Sequence, residues 1–334
     1  MRIANQNIGK EHNPFIIAEV GINHNGSLDL AKETILLAHQ SGASAVKIQT
    51  FRANSLCAEG SQYYDIFKKC EFSESQLIEL YQYAGKNNIN LFSTVFDEWA
   101  VDICSSLNPP CIKIASGDIT HIPLIEYTAS KGFVIILSTG ASTLSEVEEA
   151  VNAINSVDKN LEYCILHCVS NYPTSPAEAN LLAITELSNK FKVPIGFSDH
   201  TVGNDVSIAA VSLGAQIIEK HFTLDKTLDG PDHSLSSNPE EFSKLVNSTK
   251  IVFSAKGIMK KKPVEDINLI TQIRRSIFAG CDISSGTLLE KKMLSITRPI
   301  KGIEPKHMKK IIGMKAVKNI SKGDPIQWSD IEVI

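Results

Sequence analysis

Residues 194–221 read PIGFSDHTVGNDVSIAAVSLGAQIIEKH, two short apolar runs with a helical pattern between them. The first run ends at His200 and the second at His221. Short apolar runs that alternate with helices are typical of parallel β-α units, in which successive strands lie side by side. The stretch therefore predicts two imidazoles at one edge of a parallel sheet, where a divalent metal could bind between them.

The same alternation of strand and helix patterns continues through most of the chain. Buried strands are predicted at Phe15–Val20, Ala45–Gln49, Leu91–Thr94, Cys111–Ala115, Val134–Leu137, Tyr163–His167, Pro194–Phe197 and Gln216–Glu219. Eight β-α units over roughly 250 residues match a closed (β/α)8 TIM barrel in number and length. We therefore predict an α/β fold with such a barrel, and an open doubly wound sheet is the alternative.

Polar residues follow each predicted strand, and active sites of TIM barrels lie at these C-terminal strand ends. In chain order the ends carry Glu19, Lys47 with Gln49, Thr94, Lys113 with Ser116, Ser138, Ser170 with Tyr172, Ser198 with His200, and Glu219 with His221. Polar residues of ordinary exposed loops would not be expected to occur at the same point after every one of the eight strands. The sequence therefore predicts one site on this face of the barrel.

The chain changes character after the last predicted β-α unit. The sequence DISSG at residues 282–286 recurs as NISKG at residues 319–323. Two copies of a strand-turn-strand unit predict a small β-rich domain with internal pseudosymmetry. We assign residues 1–260 to the barrel, 261–276 to a linker and 277–334 to this second domain.

The composition argues against several classes of function. The chain has 334 residues with 33 Lys and Arg against 37 Asp and Glu, a formal charge of −4, and no basic run that would track a nucleic acid backbone. It has no stretch near the roughly 20 apolar residues of a membrane helix, and no apolar signal core at its N-terminus. We expect a cytoplasmic protein that binds neither nucleic acid nor membrane.

The seven cysteines are an odd number without Cys-x-x-Cys spacing. This usage predicts buried, reduced thiols in preference to disulfides or a zinc site. Cys168, which follows His167 at a strand end, is an alternative candidate for a catalytic thiol, although the pattern assigns no acid or base to it.

Two lysines, Lys47 and Lys113, lie inside strand patterns that are otherwise apolar. Because an unpaired ammonium is costly to bury, each must pair with a carboxylate such as Glu19 or Glu219, or bind an anion. Anion binding is the preferred interpretation. Serines and threonines at the neighbouring strand ends would complete a cradle for phosphate or carboxylate.

The two histidines also have two interpretations. Each could be a buried histidine satisfied by a backbone carbonyl, but a pair on adjacent strands favours metal binding. Two ring nitrogens without thiolates leave positions for water and substrate, which indicates Mn²⁺ or Mg²⁺ in preference to structural zinc. Asp199 and Glu219 are expected to orient the rings or bound water, Glu19 to exchange protons, and Asp232 to bind a polyol.

Several motifs together resemble the sialic acid synthase family, the phosphoenolpyruvate-dependent nonulosonate synthases. The resemblance spans nearly the whole chain. It rests on IAEVGINHNG (17–26), VKIQTF (46–51), KIASG (113–117), LSTG (137–140), FSDHT (197–201), EKHFTLD (219–225) and GPDH (230–233). The C-terminal part, with TRP at residues 297–299, resembles the SAF or antifreeze-like domain of that family.

The resemblance implies that phosphoenolpyruvate condenses with the open-chain aldehyde of an N-acylhexosamine, most often N-acetylmannosamine, to give N-acetylneuraminate and phosphate. Mn²⁺ or Mg²⁺ on His200 and His221 would polarise the aldehyde. Glu19, Lys47 and Lys113 would be catalytic with these histidines. The implied phosphoenolpyruvate ligands are Lys47, Gln49, Thr94, Lys113, Ser116, Ser138, Ser170 and Ser198. The implied sugar ligands are Glu19, Tyr172, Glu219, Asp232 and Arg298.

The resemblance also implies a domain-swapped homodimer, in which Arg298 of one chain reaches the sugar in the barrel of the other. Two functions from other classes remain alternatives. One is a different lyase or aldolase of phosphorylated sugars, which would form a Schiff base at Lys47 or Lys113. The other is a carbohydrate-binding or assembly protein that retains a decayed barrel.

Departures from the family's usual pattern leave the acceptor sugar open. Asp118 stands where many members carry glutamate, and Ser170-Asn171 occupies a pair that some relatives fill with asparagine first. The segment Cys57–Cys70, in which Tyr63 and Tyr64 could shape the sugar pocket, matches no subtype. Legionaminic, pseudaminic and spore-coat-type synthases are therefore alternatives to N-acetylneuraminate synthase.

Overall fold

Eight parallel strands close into a barrel in the computed structural model, which describes residues 1–258 and 260–334. Each strand pairs with the next along the chain, and the last pairs with the first. The strands are β1 Phe15–Gly21, β2 Ala45–Thr50, β3 Leu91–Val95, β4 Ile112–Ile114, β5 Ile135–Ser138, β6 Tyr163–Cys168, β7 Ile195–Asp199 and β8 Ile217–His221. The predicted TIM barrel is confirmed, and the open doubly wound alternative is wrong.

Helices connect successive strands around the outside of the barrel. They are α1 Leu28–Gln40, α2 Ala53–Leu56, α3 Tyr64–Cys70, α4 Glu74–Lys86, α5 Glu98–Ser106, α6 Ile122–Ser130, α7 Leu144–Val157, α8 Leu182–Lys190, α9 Asp205–Ser212 and α10 Pro239–Lys256. Local sequence sets where they begin: Thr143 and Glu146 form a capping box at the start of α7, as Asn238 and Glu241 do at α10. The connection from β2 to β3 holds three helices, so it is longer than a simple barrel unit requires.

Successive side chains of each strand point alternately out of and into the barrel, which gives two apolar layers. In β1, Ile16 packs in the cluster that includes the outer helices, whereas Phe15 and Ile17 belong to a second cluster inside the barrel. Ile3 and Ile8 from the N-terminal hairpin join this inner cluster. The apolar filling therefore occupies the part of the barrel nearest the strand starts, and the inward positions at the strand ends carry polar side chains.

One glycine is required by this packing. A Cβ atom on Gly196 of β7 would lie 2.5 Å from the carbonyl oxygen of Ile217 and 2.5 Å from Cδ2 of Leu166. Contacts that short are not tolerated in a close-packed interior. Glycine therefore allows β7 to hold Ser198 and His200 at the barrel end while β8 packs closely beside it.

The second compact unit comprises Ile258–Ile334. Its elements are α11 Ile267–Ile273, β9 Ser276–Ala279, β10 Leu294–Thr297, α12 Met308–Ile311, β11 Lys315–Ala316 and β12 Ile331–Glu332. Strands β9 and β10 pair with each other, as do β11 and β12, and a separate apolar cluster fills the unit. The repeated sequences meet where Ile283 and Ile320 form an antiparallel bridge. The expected small β-rich domain is therefore confirmed.

The boundary between the units follows Gly257, close to the predicted end of the barrel at residue 260. Residues 261–276, predicted as a linker, contain α11 and the first residue of β9. Among the described residues, no helix is both long enough and apolar enough to cross a membrane.

Candidate active site

A cavity of about 590 Å³ opens at the C-terminal ends of the barrel strands. Its lining includes every predicted site residue of the barrel: Glu19, Lys47, Gln49, Thr94, Lys113, Ser116, Ser138, Ser170, Tyr172, Ser198, His200, Glu219, His221 and Asp232. The remaining predicted residue, Arg298, follows β10 in the C-terminal unit. The barrel thus brings residues separated by more than two hundred positions in sequence to one site.

Two lysines and two glutamates form a buried cluster on the floor of this cavity. Lys47 Nζ lies 2.5 Å from Glu19 Oε2 and 3.7 Å from Glu219 Oε1, and donates to Thr94 Oγ1 at 2.7 Å. Lys113 Nζ lies 3.3 Å from Glu219 Oε1. Because all four charged side chains are at most 6% exposed, water screens their interactions very little.

The two carboxylates of this cluster differ in protonation. Burial raises the pKa of Glu19 to about 7, an effect that the charge of Glu219 reinforces and that of Lys47 opposes. Burial also acts against ionisation of Glu219, but the charges of Lys113 and Lys47 outweigh it and lower the pKa to about 2. Glu219 is therefore the permanent counterion, whereas Glu19 can gain or lose a proton near neutral pH.

Hydroxyl groups surround the lysines on the side of β4 to β7. Ser198 Oγ donates to Glu219 Oε1 at 3.0 Å, and Ser116 Oγ accepts from the amide of Gly140 at 2.9 Å. Ser138 Oγ is buried with no hydrogen-bond partner in the described structure. A Cβ atom on Gly140 would collide with the hydroxyl of Ser170 and lie 2.9 Å from that of Ser116. Glycine is thus what allows these hydroxyls to converge.

The two histidines meet at the rim, as the opening stretch predicts. Their ring centroids are 5.4 Å apart, and the Tyr172 ring stacks on His200 at 4.0 Å. His200 Nδ1 lies 2.7 Å from the carbonyl oxygen of Val169, whereas His221 Nδ1 is buried without a hydrogen bond, 3.7 Å from Asp232 Oδ2. Burial lowers the pKa of both rings, that of His221 to about 4, so both are neutral at physiological pH.

Some polar residues near the strand ends serve the fold instead. Asp199 points outward from β7, where Lys220 Nζ lies 2.9 Å from its Oδ2, so the expectation that it orients the histidines is wrong. Asn23 donates to the carbonyl of Phe222 and to Ser236. His24 stacks on Phe72 with centroids 4.2 Å apart.

The cysteines are all unpaired, as predicted. Five are buried, whereas Cys57 is partly exposed and Cys281 is exposed. Cys168 lines the cavity with its Sγ 3.9 Å from His200 Nδ1, and burial raises its pKa. It is therefore a neutral thiol, which is a poor nucleophile.

Sequence reasoning missed an apolar part of the cavity lining. Ile22, Leu56, Phe67 and Phe96 line the cavity beside Tyr63. Only Tyr63 could be singled out from the sequence, because apolar residues that line a cavity have the same pattern as core residues. Tyr64, considered with it, does not line the cavity.

Comparison with known proteins identifies the family. The NeuB family model matches residues 34–261, and the SAF domain model matches residues 274–332. The chain belongs to the NeuB family. It is accordingly a synthase of the nonulosonate type, with its predicted C-terminal SAF domain confirmed.

Relatives of this NeuB-family chain carry names with different products. An N,N'-diacetyllegionaminic acid synthase of Legionella pneumophila is 40% identical over 95% of this chain and 94% of the relative. The N-acetylneuraminate-9-phosphate synthase of Homo sapiens is 35% identical over 96% of this chain and 93% of the relative. The crystal structure of N-acetylneuraminic acid synthetase from Leptospira borgpetersenii matches with a TM-score of 0.76 and 38% identity, covering 79% of this chain and 92% of that one.

Proposed function

We propose that this chain condenses phosphoenolpyruvate with an N-acylated hexosamine to give a nonulosonic acid and phosphate. N-acetylmannosamine, which would yield N-acetylneuraminate, is the simplest such acceptor. The observation that carries the proposal is the buried cluster of Lys47, Lys113, Glu19 and Glu219 beneath a ring of hydroxyls. Such a site suits an anionic donor that reacts beside a group able to exchange a proton.

Phosphoenolpyruvate carries a phosphate and a carboxylate, and the cluster offers two ammonium groups to bind them. Lys47 and Lys113 would be the charged ligands of these groups. The neutral ligands would be Gln49, Thr94, Ser116, Ser138, Ser170 and Ser198. The unpartnered hydroxyl of Ser138 supports this assignment, because a buried hydroxyl without a partner is costly unless a ligand completes its hydrogen bonds.

The reaction forms one C–C bond and one C–O bond, the latter from water, and breaks the C–O bond between carbon 2 and the phosphate. Carbon 3 of phosphoenolpyruvate attacks the aldehyde carbon of the sugar, and the aldehyde oxygen takes up a proton. Water adds to the cationic carbon 2, and breakdown of the tetrahedral intermediate expels phosphate. Glu19 would accept the proton of that water, since its pKa of about 7 leaves much of it ionised at neutral pH.

The acceptor would bind between the anion cradle and the rim of β6 to β8. Tyr172 lies over the histidine rings, and Asp232 lies beside His221. With Glu19 and Glu219, these residues would contact the sugar hydroxyl and acylamino groups. Tyr172 is 53% exposed, so its ring could cover a sugar that enters from solvent.

The histidine pair fits a divalent ion such as Mn²⁺ or Mg²⁺. The bond of His200 Nδ1 to a carbonyl leaves Nε2 as the free lone pair, and His221 Nδ1 has no hydrogen bond of its own. Within the described residues no group of three or more potential ligands surrounds a common point, so water and substrate would complete the coordination. An ion bound there would supply a Lewis acid for the aldehyde oxygen.

Removing both rings is expected to weaken Mn²⁺ binding by about 100-fold or more, because two ligands are lost and loss of even one outer-sphere partner costs roughly 10–100-fold. Binding of Mn²⁺ to the His200→Ala/His221→Ala protein, measured by electron paramagnetic resonance, checks this without reference to catalysis. His167→Ala is the matched control, since that ring bonds the carbonyl of Ala179 and does not line the cavity. Unchanged Mn²⁺ affinity in the double variant would contradict the assignment.

The active form is proposed to be a homodimer in which Arg298 of one chain contacts the sugar bound in the other barrel. The guanidinium would hydrogen-bond an acyl oxygen, which a planar set of donors suits. This arrangement would give the C-terminal SAF domain a direct role in the barrel site.

The proposed reaction is tested by incubating the purified protein with phosphoenolpyruvate, Mn²⁺ and N-acetylmannosamine or related N-acylated hexosamines. Phosphate release that depends on both substrates is expected, with a product mass equal to that of the sugar plus pyruvate. Absence of phosphate release with every hexosamine in the panel would overturn the proposal.

A further inference from the structure

One wall of the cavity is apolar and comes from three separate places in the fold. Ile22 follows β1, Leu56, Tyr63 and Phe67 belong to the segment between β2 and α4, and Phe96 follows β3. Leu56, Phe67 and Phe96 pack against a buried cluster that contains Ile22. We call these five residues the apolar wall.

The segment that supplies most of this wall is fixed to the barrel. Arg52 Nη1 lies 3.0 Å from Glu71 Oε1, and the amide of Ala53 donates to Glu71 Oε2 at 3.0 Å. The Arg52 guanidinium also lies 3.6 Å from the centroid of the Trp99 ring. These contacts hold the two ends of the segment 53–70 close together. The wall residues on this segment are therefore held in fixed positions, which a binding site requires if it is to discriminate between ligands.

Positive charge in the described cavity lining comes from two residues, neither of which belongs to the apolar wall. Among the described lining residues, the lysines are Lys47 and Lys113, and no arginine is present. Both ammonium groups lie within 4 Å of carboxylates and are assigned above to phosphoenolpyruvate. The apolar wall itself offers no charge to a second phosphate carried by the sugar, and the partner's Arg298 is assigned above to the acyl group.

We propose that the apolar wall selects acceptor hexosamines that carry methyl groups at the end remote from the aldehyde. Such methyl groups come from a deoxygenated carbon 6 or from a second acylamino substituent. The wall correspondingly disfavours a 6-phosphate, because transfer of a phosphate from water to an uncharged apolar surface is costly. This inference rests on the proposed function and deepens it.

The test compares kcat/KM for three acceptors, each with phosphoenolpyruvate and Mn²⁺. They are N-acetylmannosamine, its 6-phosphate and 2,4-diacetamido-2,4,6-trideoxymannose. We expect the trideoxy sugar to exceed N-acetylmannosamine by at least about 10-fold, since one methylene in an apolar pocket is worth roughly 10–200-fold, and the 6-phosphate to be the poorest. A preference for N-acetylmannosamine or its 6-phosphate would overturn only this inference. Phosphate release with none of the three would overturn the proposed function as well.

A variant pair locates the preference in the wall. The selectivity is the kcat/KM for the trideoxy sugar divided by the kcat/KM for N-acetylmannosamine. Phe67→Ala is expected to reduce this ratio at least about fivefold. The KM for phosphoenolpyruvate should remain unchanged, which a general loss of structure would not allow. Ile66→Ala, on the same helix and outside the cavity lining, should leave the ratio as it is. An equal effect of Phe67→Ala on both sugars would contradict the assignment.

Discussion

Replacing Lys47 with methionine is expected to lower kcat/KM for phosphoenolpyruvate about 1000-fold, the scale of loss when one preorganised charge-stabilising group is removed. Lys47 contacts Glu19, Glu219 and Thr94, so it links the proposed proton-exchanging group to the anion cradle. Methionine replaces the four-atom stem of the lysine side chain but leaves the two carboxylates without the ammonium group between them. Initial rates of phosphate release at varied phosphoenolpyruvate concentration measure the effect.

Lys220→Met is the matched control, because it also removes a buried lysine from a barrel strand. Lys220 points outward and pairs with Asp199 at 2.9 Å, away from the cavity. Its loss leaves a buried carboxylate unpaired, so the free energy of unfolding should fall by about 3 kcal/mol while kcat/KM changes little. A Lys47→Met protein that is folded and retains near-normal kcat/KM would contradict the proposed cradle.

The Lys47→Met protein also tests the shared site. Mixed with an Arg298→Ala protein, it should regain activity, because each mixed dimer contains one site with Lys47 from one chain and Arg298 from the other. Subunit exchange followed by a rate measurement checks this. If exchange occurs and mixing restores no activity, Arg298 acts within its own chain or outside the site.

The barrel and its polar face were predictable because both depend on short-range patterns. Strand and helix periods differ, and the eight strand ends bring polar residues such as Glu19 and Lys113 into register. The direction of each side chain was harder to assign. Asp199 lies between Ser198 and His200, and strand alternation turns it outward to Lys220 while its two neighbours line the cavity.

Two further properties of the site depend on distances that the sequence does not contain. Glu19 and Glu219 have the same side chain and both lie on inward positions of neighbouring strands. The pKa of Glu219 is lowered because Lys113 and Lys47 lie beside it and Ser198 donates to it, whereas burial dominates at Glu19. The apolar wall was not predictable because Phe67 and Phe96 have the same sequence pattern as core residues. Their contribution to the cavity follows from the long connection after β2.

Glu19→Gln is expected to lower kcat about 100-fold or more, the usual contribution of a positioned general base. In the wild-type protein the ionised form of Glu19 acts, so kcat/KM should rise with pH through about 7, where burial places its pKa. Glutamine keeps the shape of the side chain and cannot titrate. The ratio of wild-type to variant kcat/KM should therefore rise with pH up to about 7 and then level off, since titration of phosphoenolpyruvate itself affects both proteins equally.

Glu219→Gln provides the matching test of the coupling between the two carboxylates. The negative charge of Glu219 raises the pKa of Glu19, so its removal should move the rise in kcat/KM to lower pH and leave the rise itself in place. A shift to higher pH would contradict this coupling. It would mean that the cluster rearranges when Lys113 loses its counterion. A wild-type profile that is flat between pH 6 and 8, or a Glu19→Gln profile that retains the rise near 7, would assign the proton transfer to another group.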